Sequence, residues 1–408
     1  KFGTLPDAAV NSVELWYDAN SDDVFSTGKD IQIATTVFVS SAATLVPPTP
    51  EDIQTTTRTY FVVASIKPAF LPVPGSSMSV RLDGEAFGVK GAGFEGVDFP
   101  AGSFIVTGGD LAAVKAAADK FGLTAANLAA APSVASHDAD LPRVAIYSQW
   151  GQTQELGWYR FTFDKFGIPF DLIYKERVAQ GNLKKDYDVI VMAMQNINRQ
   201  TALAPKAARP QPYKKNDKYK FLGMYGETDD MSGGIGQEGV DAFAAFLDAG
   251  GTLIAVGDAA RLPIDFGWAR SVDKAPVPGL TSQRPLVQGE IVRPEHPVFY
   301  GYSSTKLPVK YVGGSPLKVG VADEGNVLAR YVGGDGAVLS GLMTGADSLR
   351  GKPFAVDVPQ AYKGHGRVVM FSNNPIYRWQ NHGEFNMIFN SVLNWNDEPK
   401  PEAPKIVP

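Results

Sequence analysis

Nine residues stand where an open α/β sheet would do its chemistry: Gln149, Trp150, Gln195, Asn196, Gly234, Asp258, Asn373, Arg378 and His382. Ligands of such sheets sit beyond the carboxyl ends of the strands. Gln149 and Trp150 follow the apolar run Arg143–Ser148, and Gln195 and Asn196 follow Tyr187–Met194. Asp258 follows Thr252–Val256, and Asn373 and Asn374 follow Arg367–Ser372. Asp258 and His382 are of the types that form acid–base pairs, the basis of a hydrolase site. The turn Ser232-Gly233-Gly234-Ile235-Gly236 precedes a helical pattern, so its N–H groups could hold an anion or a carbonyl. A tight turn with close packing accounts for the same glycines. Tyr377, Arg378, Trp379 and His382 form a polar aromatic cluster that could line a pocket or fix its loop to the sheet. Trp150 and Trp158 fit core or rim packing as well as a carbohydrate-stacking platform.

Other chemistries are closed. The chain has no cysteine, which removes thiol catalysis, disulfides and thiolate metal sites. Its four histidines are His137, His296, His365 and His382, and none has a second His or a Glu at zinc-helix spacing; His382-Gly383-Glu384 is the nearest approach. No Gly-x-Ser-x-Gly elbow follows a strand, and the P-loop and dinucleotide fingerprints are missing. A net charge of −5 argues against nucleic acid as the main partner. Lys214, Lys215, Lys218 and Lys220 form the one dense basic cluster, broken by Asp217 and followed by Glu227, Asp229 and Asp230. It reads as a solvated loop, with an anion or partner patch as the other reading.

The elements that must position these residues fall into two textures. Residues 1–66 are rich in Thr, Val, Ser and Ile, and before residue 140 strands are expected over Ile31–Ser40, Thr57–Ile66, Met78–Leu82 and Ser103–Val106. A helix is expected over Asp110–Phe121, capped by Asp110 and stopped by Gly122, then a short helix and linker over 124–140. From residue 141 strands and helices alternate. Arg143–Ser148, Phe170–Tyr174, Tyr187–Met194 and Thr252–Val256 read as strands, and Gln154–Phe166 and Gly236–Ala249 as helices. Shorter strands follow over 284–292, 316–321, 326–331 and 336–341, then Phe354–Val358, Arg367–Ser372 and a final helix Gly383–Trp395. That order predicts a flavodoxin-like, doubly wound, mostly parallel sheet after a smaller β-rich α+β domain. The expected boundaries are 1–140, 141–396 and a fraying tail, 397–408. No internal repeat is visible.

The segments Arg143–Trp150, Glu155-Leu-Gly-Trp158, Phe163–Ile173, Gly181-Asn-Leu183 and Tyr187–Val191 carry a resemblance. So do Gly233–Gly236 with Glu238-Gly239, Ala249–Leu253, Gly366–Phe371, His382-Gly-x-Phe385 and Phe389-Asn390. In order and spacing they resemble the carboxyl-terminal region of large bacterial zinc carboxypeptidase-like proteins, over roughly residues 100–396. The resemblance implies a class I glutamine amidotransferase-like domain that follows a catalytic domain of the carboxypeptidase A type. The family's zinc motif, His-x-x-Glu plus a distant His, does not occur here, so no zinc ligand carries over. Nor is there a cysteine for the turn near Asp258, so glutamine hydrolysis through a thioester is excluded.

The resulting expectation is a non-catalytic accessory region, structural or ligand-binding, of a secreted zinc carboxypeptidase-like protein. Cofactors are expected only outside this chain, as zinc in the absent peptidase domain. The expected partners are that domain and a peptide or carbohydrate ligand, with no nucleic acid and no membrane span. Lys1 in place of Met and the lack of cysteine suggest a mature product or fragment in the periplasm or outside the cell. The alternatives are an independent hydrolase at the carboxyl edge of the sheet, or a carbohydrate- or peptide-binding module.

Overall fold

The computed structural model describes residues 140–397 without a break. Before them it describes residues 2–3, 10–19, 25–38, 45, 60–66, 78–79, 105–106, 110–121 and 123. The chain divides into two compact units, Lys1–Asp98 and Phe99–Pro408. The boundary expected near residue 140 falls at the end of a run that lies mostly outside the described residues, as do the expected helix in 124–139 and the tail from 398.

The first unit holds a three-stranded antiparallel sheet with Val10–Tyr17 between Ile31–Thr36 and Tyr60–Ile66. Phe2–Gly3 pairs with Met78–Ser79. In the second unit the Leu111–Phe121 helix begins as expected, with the Asp110 carboxylate accepting from the Ala112 N–H at 2.9 Å. Ile105 and Val106, expected in a strand, lie in none and are exposed.

The second unit is built on a ten-stranded mixed sheet. Its strands are β1 (Val144–Tyr147), β2 (Asp171–Ile173), β3 (Val189–Met192), β4 (Thr252–Val256), β5 (Leu286–Ile291), β6 (Lys306–Lys310), β7 (Val327–Tyr331), β8 (Val338–Ser340), β9 (Pro353–Tyr362) and β10 (His365–Phe371). Their order is β6-β5-β7-β9-β10-β4-β3-β1-β2, with β8 on β5. The run β10-β4-β3-β1-β2 is parallel throughout, while β5 to β9 add an antiparallel wing. Counted along the chain, the five parallel strands have the flavodoxin-like order 2-1-3-4-5. The fold is the doubly wound α/β class expected from the sequence.

Alternation decides which side each residue serves. Val144, Ile146, Val189, Val191, Ile254, Val256, Val369 and Phe371 face α1 (Gln154–Phe166) and the final helix, Phe385–Leu393. Ala145, Tyr147, Ile190, Met192, Leu253, Ala255, Val368 and Met370 face the other layer, dominated by Val240, Phe243, Phe246 and Leu247 of α2 (Gly236–Asp248). Sheet residues on both faces are buried, as parallel strands between two helix layers must be. Gly167, left-handed at φ 66°, ends α1 with its N–H on the Asp164 carbonyl. β6 was not anticipated. It contains Pro308, which is tolerated because β6 is an edge strand paired only with β5.

Candidate functional site

Registers place the ends of four neighbouring strands in one row: Tyr147 opposite Met192, Met192 opposite Ala255, and Val256 opposite Phe371. Gln149, Met194, Gly257 and Asn373 therefore share the carboxyl edge. The order of connections reverses between β1 and β3, which is where a doubly wound sheet opens a crevice.

Here that crevice is stitched by amides. Gln195, only 4% exposed, accepts from the Gln149 N–H at 2.9 Å and donates to the Tyr147 and Ala193 carbonyls at 3.1 and 3.2 Å. Gln152 donates to Gln149 Oε1 at 2.8 Å and accepts from the Asn196 N–H at 2.7 Å. The structure thus brings Gln149, Gln195 and Asn196 together and adds Gln152. These hydrogen bonds hold two loops to each other and leave Gln195 little capacity for a ligand.

Trp150 is buried. Its ring stacks on Tyr174 with centroids 3.7 Å apart, and its Nε1–H donates to Glu176 Oε2 at 3.0 Å. It is a packing residue with a satisfied polar handle, and it presents no open platform to a sugar. Gly234 also has a packing role. A Cβ there would lie 2.1 Å from the Ala202 carbonyl oxygen and 2.2 Å from that of Thr201, and its N–H is bonded to the Ala204 carbonyl at 2.9 Å.

The sequence resemblance would place a nucleophile at the strand-to-helix turn after β4. The residue in the left-handed conformation is Gly257, φ 59°, one position before Asp258. The side-chain direction at Gly257 is occupied: a Cβ would meet Met194 Cγ at 2.5 Å and Sδ at 2.9 Å. The Gly257 carbonyl accepts from Lys274 Nζ at 3.0 Å. Burial lowers the Lys274 ammonium to about 8, against the opposing pull of Asp258. Asp258 itself is exposed, and no hydrogen bond or ion pair joins it to His382. His382 packs at 4.8 Å against both Trp379 and Phe385. The acid–base pair entertained from the sequence is not formed.

Beyond β10 lies a buried polar cluster. Asn373 and Asn374 are both fully buried. Asn374 donates to Glu155 Oε2 at 2.8 Å and accepts from the Tyr159 hydroxyl at 3.2 Å. Arg378 Nε stands 4.0 Å from Glu155 Oε1. Burial raises the Glu155 carboxyl, while Arg378, Asn374 and Arg284 pull it down. Glu384 accepts from the Lys310 N–H at 2.9 Å and from the Asn381 and Asn373 amides at 2.5 Å. Burial still outweighs those donors and raises it to about 8. Arg284, Arg378 and Trp379 are all non-glycine residues in the left-handed region, at φ 53°, 48° and 55°. Such backbone persists only where the surroundings hold it, and it gathers at functional sites.

Sequence reasoning found Asn373, Arg378 and His382 at this edge and missed Glu155, Glu384 and Gly257. The available signal for Glu155 was its place one helical turn before Tyr159, a carboxylate on the apolar stripe of α1. At the amino edge a second buried set, His296, Asp357 and Arg367, links β9 and β10 to the chain after the last helix. Asp357 accepts from Arg367 Nε at 3.0 Å and meets His296 Nε2 at 3.0 Å, and Arg367 also donates to the Asn394 carbonyl at 2.7 Å. Lying at the start of β10, it ties elements together away from the carboxyl edge.

No protein-family model matches this chain, and no curated protein sequence does. Solved structures to which it is similar include a ThuA-like protein from Bacteroides uniformis, at 14% identity and TM-score 0.36, over 65% of this chain and 95% of that one. PurLQS from Thermotoga maritima is similar at 13% identity and TM-score 0.38, over 63% of this chain and 100% of that one. A GMP synthase protein from Thermoplasma acidophilum is similar at 10% identity and TM-score 0.33, over 62% and 93%. These likenesses concern the fold alone. They bear on neither the peptidase resemblance nor any activity.

Proposed function

We propose that this chain is a non-catalytic accessory region, structural or ligand-binding, of a zinc carboxypeptidase-like precursor. The observation that carries the non-catalytic reading is the turn after β4. Glycine occupies its left-handed position and Met194 fills the space a side chain would take. The resemblance in sequence supports the peptidase parentage, and zinc would be held by that other domain. Secretion to the periplasm or beyond belongs to the same proposal. Any ligand would meet the sheet at the Glu155–Asn374–Arg378 cluster, where a partly exposed guanidinium faces a mostly buried carboxylate.

The test is hydrolysis by the purified chain, with and without added zinc, on carboxypeptidase substrates, on glutamine and on simple esters. No turnover above background is expected. Turnover that requires zinc would place the metal chemistry in this chain and overturn the reading. Turnover without metal that is lost in Asp258→Asn would restore an independent hydrolase.

A further inference from the structure

Between the helix Arg199–Ala202 and α2 the chain makes an excursion over residues 203–235. It contains no helix or strand, only a bridge between Tyr213 and Thr228. Its base is fixed to the domain: the Tyr213 ring lies 5.6 Å from Trp150, and the Thr228 hydroxyl donates to Glu176 Oε1 at 2.6 Å. Beyond the bridge the tip behaves differently. Tyr219 is 51% exposed, Phe221 79%, Met224 62% and Tyr225 61%. Four large side chains within seven positions thus keep half or more of their surface exposed, the Tyr225 ring also lying 3.5 Å from the Arg160 guanidinium of α1. Lys215, Lys218 and Lys220 are exposed among them, and Lys214 pairs with Asp229.

A solvated lysine loop has no use for exposed Phe and Met, and a folded-back loop would bury them. Protein interfaces favour aromatics and Met but are depleted of lysine. Nucleic acid is disfavoured by the net charge of −5 and by the acidic run Glu227, Asp229 and Asp230 beside the tip. Aromatic and Met side chains interleaved with lysines match the boundary between lipid headgroups and acyl chains. There rings and thioethers enter the apolar layer while ammonium groups stay with anionic headgroups. No helix among the described residues is long and apolar enough to cross a membrane, so attachment would be peripheral.

We propose that residues 214–225 form a docking loop for an anionic lipid membrane surface. The proposal is independent of whether the carboxyl edge binds a ligand. The experiment is co-sedimentation of the purified chain with phosphatidylcholine vesicles and with vesicles that also contain phosphatidylglycerol, at low and high salt. Binding is expected to the mixed vesicles only, weakened by salt. Lys218→Gln with Lys220→Gln should weaken it by about thirtyfold. Phe221→Ser with Met224→Ser should weaken it by at least about tenfold, with circular dichroism unchanged. Equal binding to both vesicle types, no binding to either, or native binding by both double variants overturns the proposal. So does binding of polyuridylic acid in place of the mixed vesicles.

Discussion

Replacing Gly257 by alanine asks directly whether the turn after β4 has room for a side chain. Two costs are expected. The left-handed backbone at φ 59° disfavours any residue with a Cβ, by about 1–2 kcal/mol. The new methyl would stand 2.5 Å from Met194 Cγ and 3.2 Å from its Cβ, so Met194 must leave its rotamer, at roughly 0.5–1.5 kcal/mol. Gly257→Ala should therefore destabilise the domain by about 1.5–3.5 kcal/mol. Combining it with Met194→Ala removes the second cost and leaves the first, so the two changes should couple by roughly 0.5–1.5 kcal/mol. Urea unfolding of the four proteins, followed by tryptophan fluorescence, measures this cycle. A Gly257→Ala protein as stable as the parent, with no coupling to Met194, would show an open elbow. It would remove the main support for a non-catalytic role.

Three further outcomes follow from the same structure. Glu384 keeps its proton in the fold up to about 8, whereas an unperturbed glutamate loses it near 4.5. The folded state therefore holds the extra proton between those values, and its contribution to stability declines as pH rises through that window. Urea midpoints across the window should show this slope, and Glu384→Gln should flatten it; an unchanged slope refutes the assignment. Gly234→Ala should cost about 3 kcal/mol or more in thermal unfolding, because the obstacles at 2.1 and 2.2 Å are backbone carbonyls that cannot rotate away. Native stability there would reopen the anion-cradle reading. Trp150→Ala should cost about 3–5 kcal/mol in urea, and Trp150→Phe, which retains a ring against Tyr174 and loses the Glu176 bond, about 1.5–3 kcal/mol. A stable Trp150→Ala protein that fails to bind a glycan array would instead make Trp150 a platform.

The parallel half of the sheet was legible because its strands are short, continuous apolar runs separated by helices with a clear 3.6-residue stripe. Gln154–Phe166 and Thr252–Val256 were read to the residue. The antiparallel wing was less legible. Pro308 hides an edge strand, and pairing there links segments remote in sequence, such as Leu286 with Lys310. Short helices such as Lys175–Ala179 give periodicity too few positions to register. At the site, sequence order located the carboxyl edge but could not assign who bonds to whom. Gln195 looked available and is consumed, while Glu155, not singled out as a site residue, sits against Asn374.

The missing cysteine bears on function only through the geometry of the turn that lacks it. A sequence can lose a nucleophile by one substitution and keep the space around it, in which case a bound ligand would still find a pocket. At Gly257 the change is deeper. The position has no Cβ, Met194 has taken the volume, and Lys274 is spent on the Gly257 carbonyl. A single Gly257→Cys substitution would consequently strain the turn and bury its sulfur against Met194, without creating an attacking thiolate. The guanidinium at this edge that is partly exposed and faces a mostly buried carboxylate is instead Arg378, beyond the end of β10. A search for ligands should begin there, two strands away from the crevice that the topology alone would nominate.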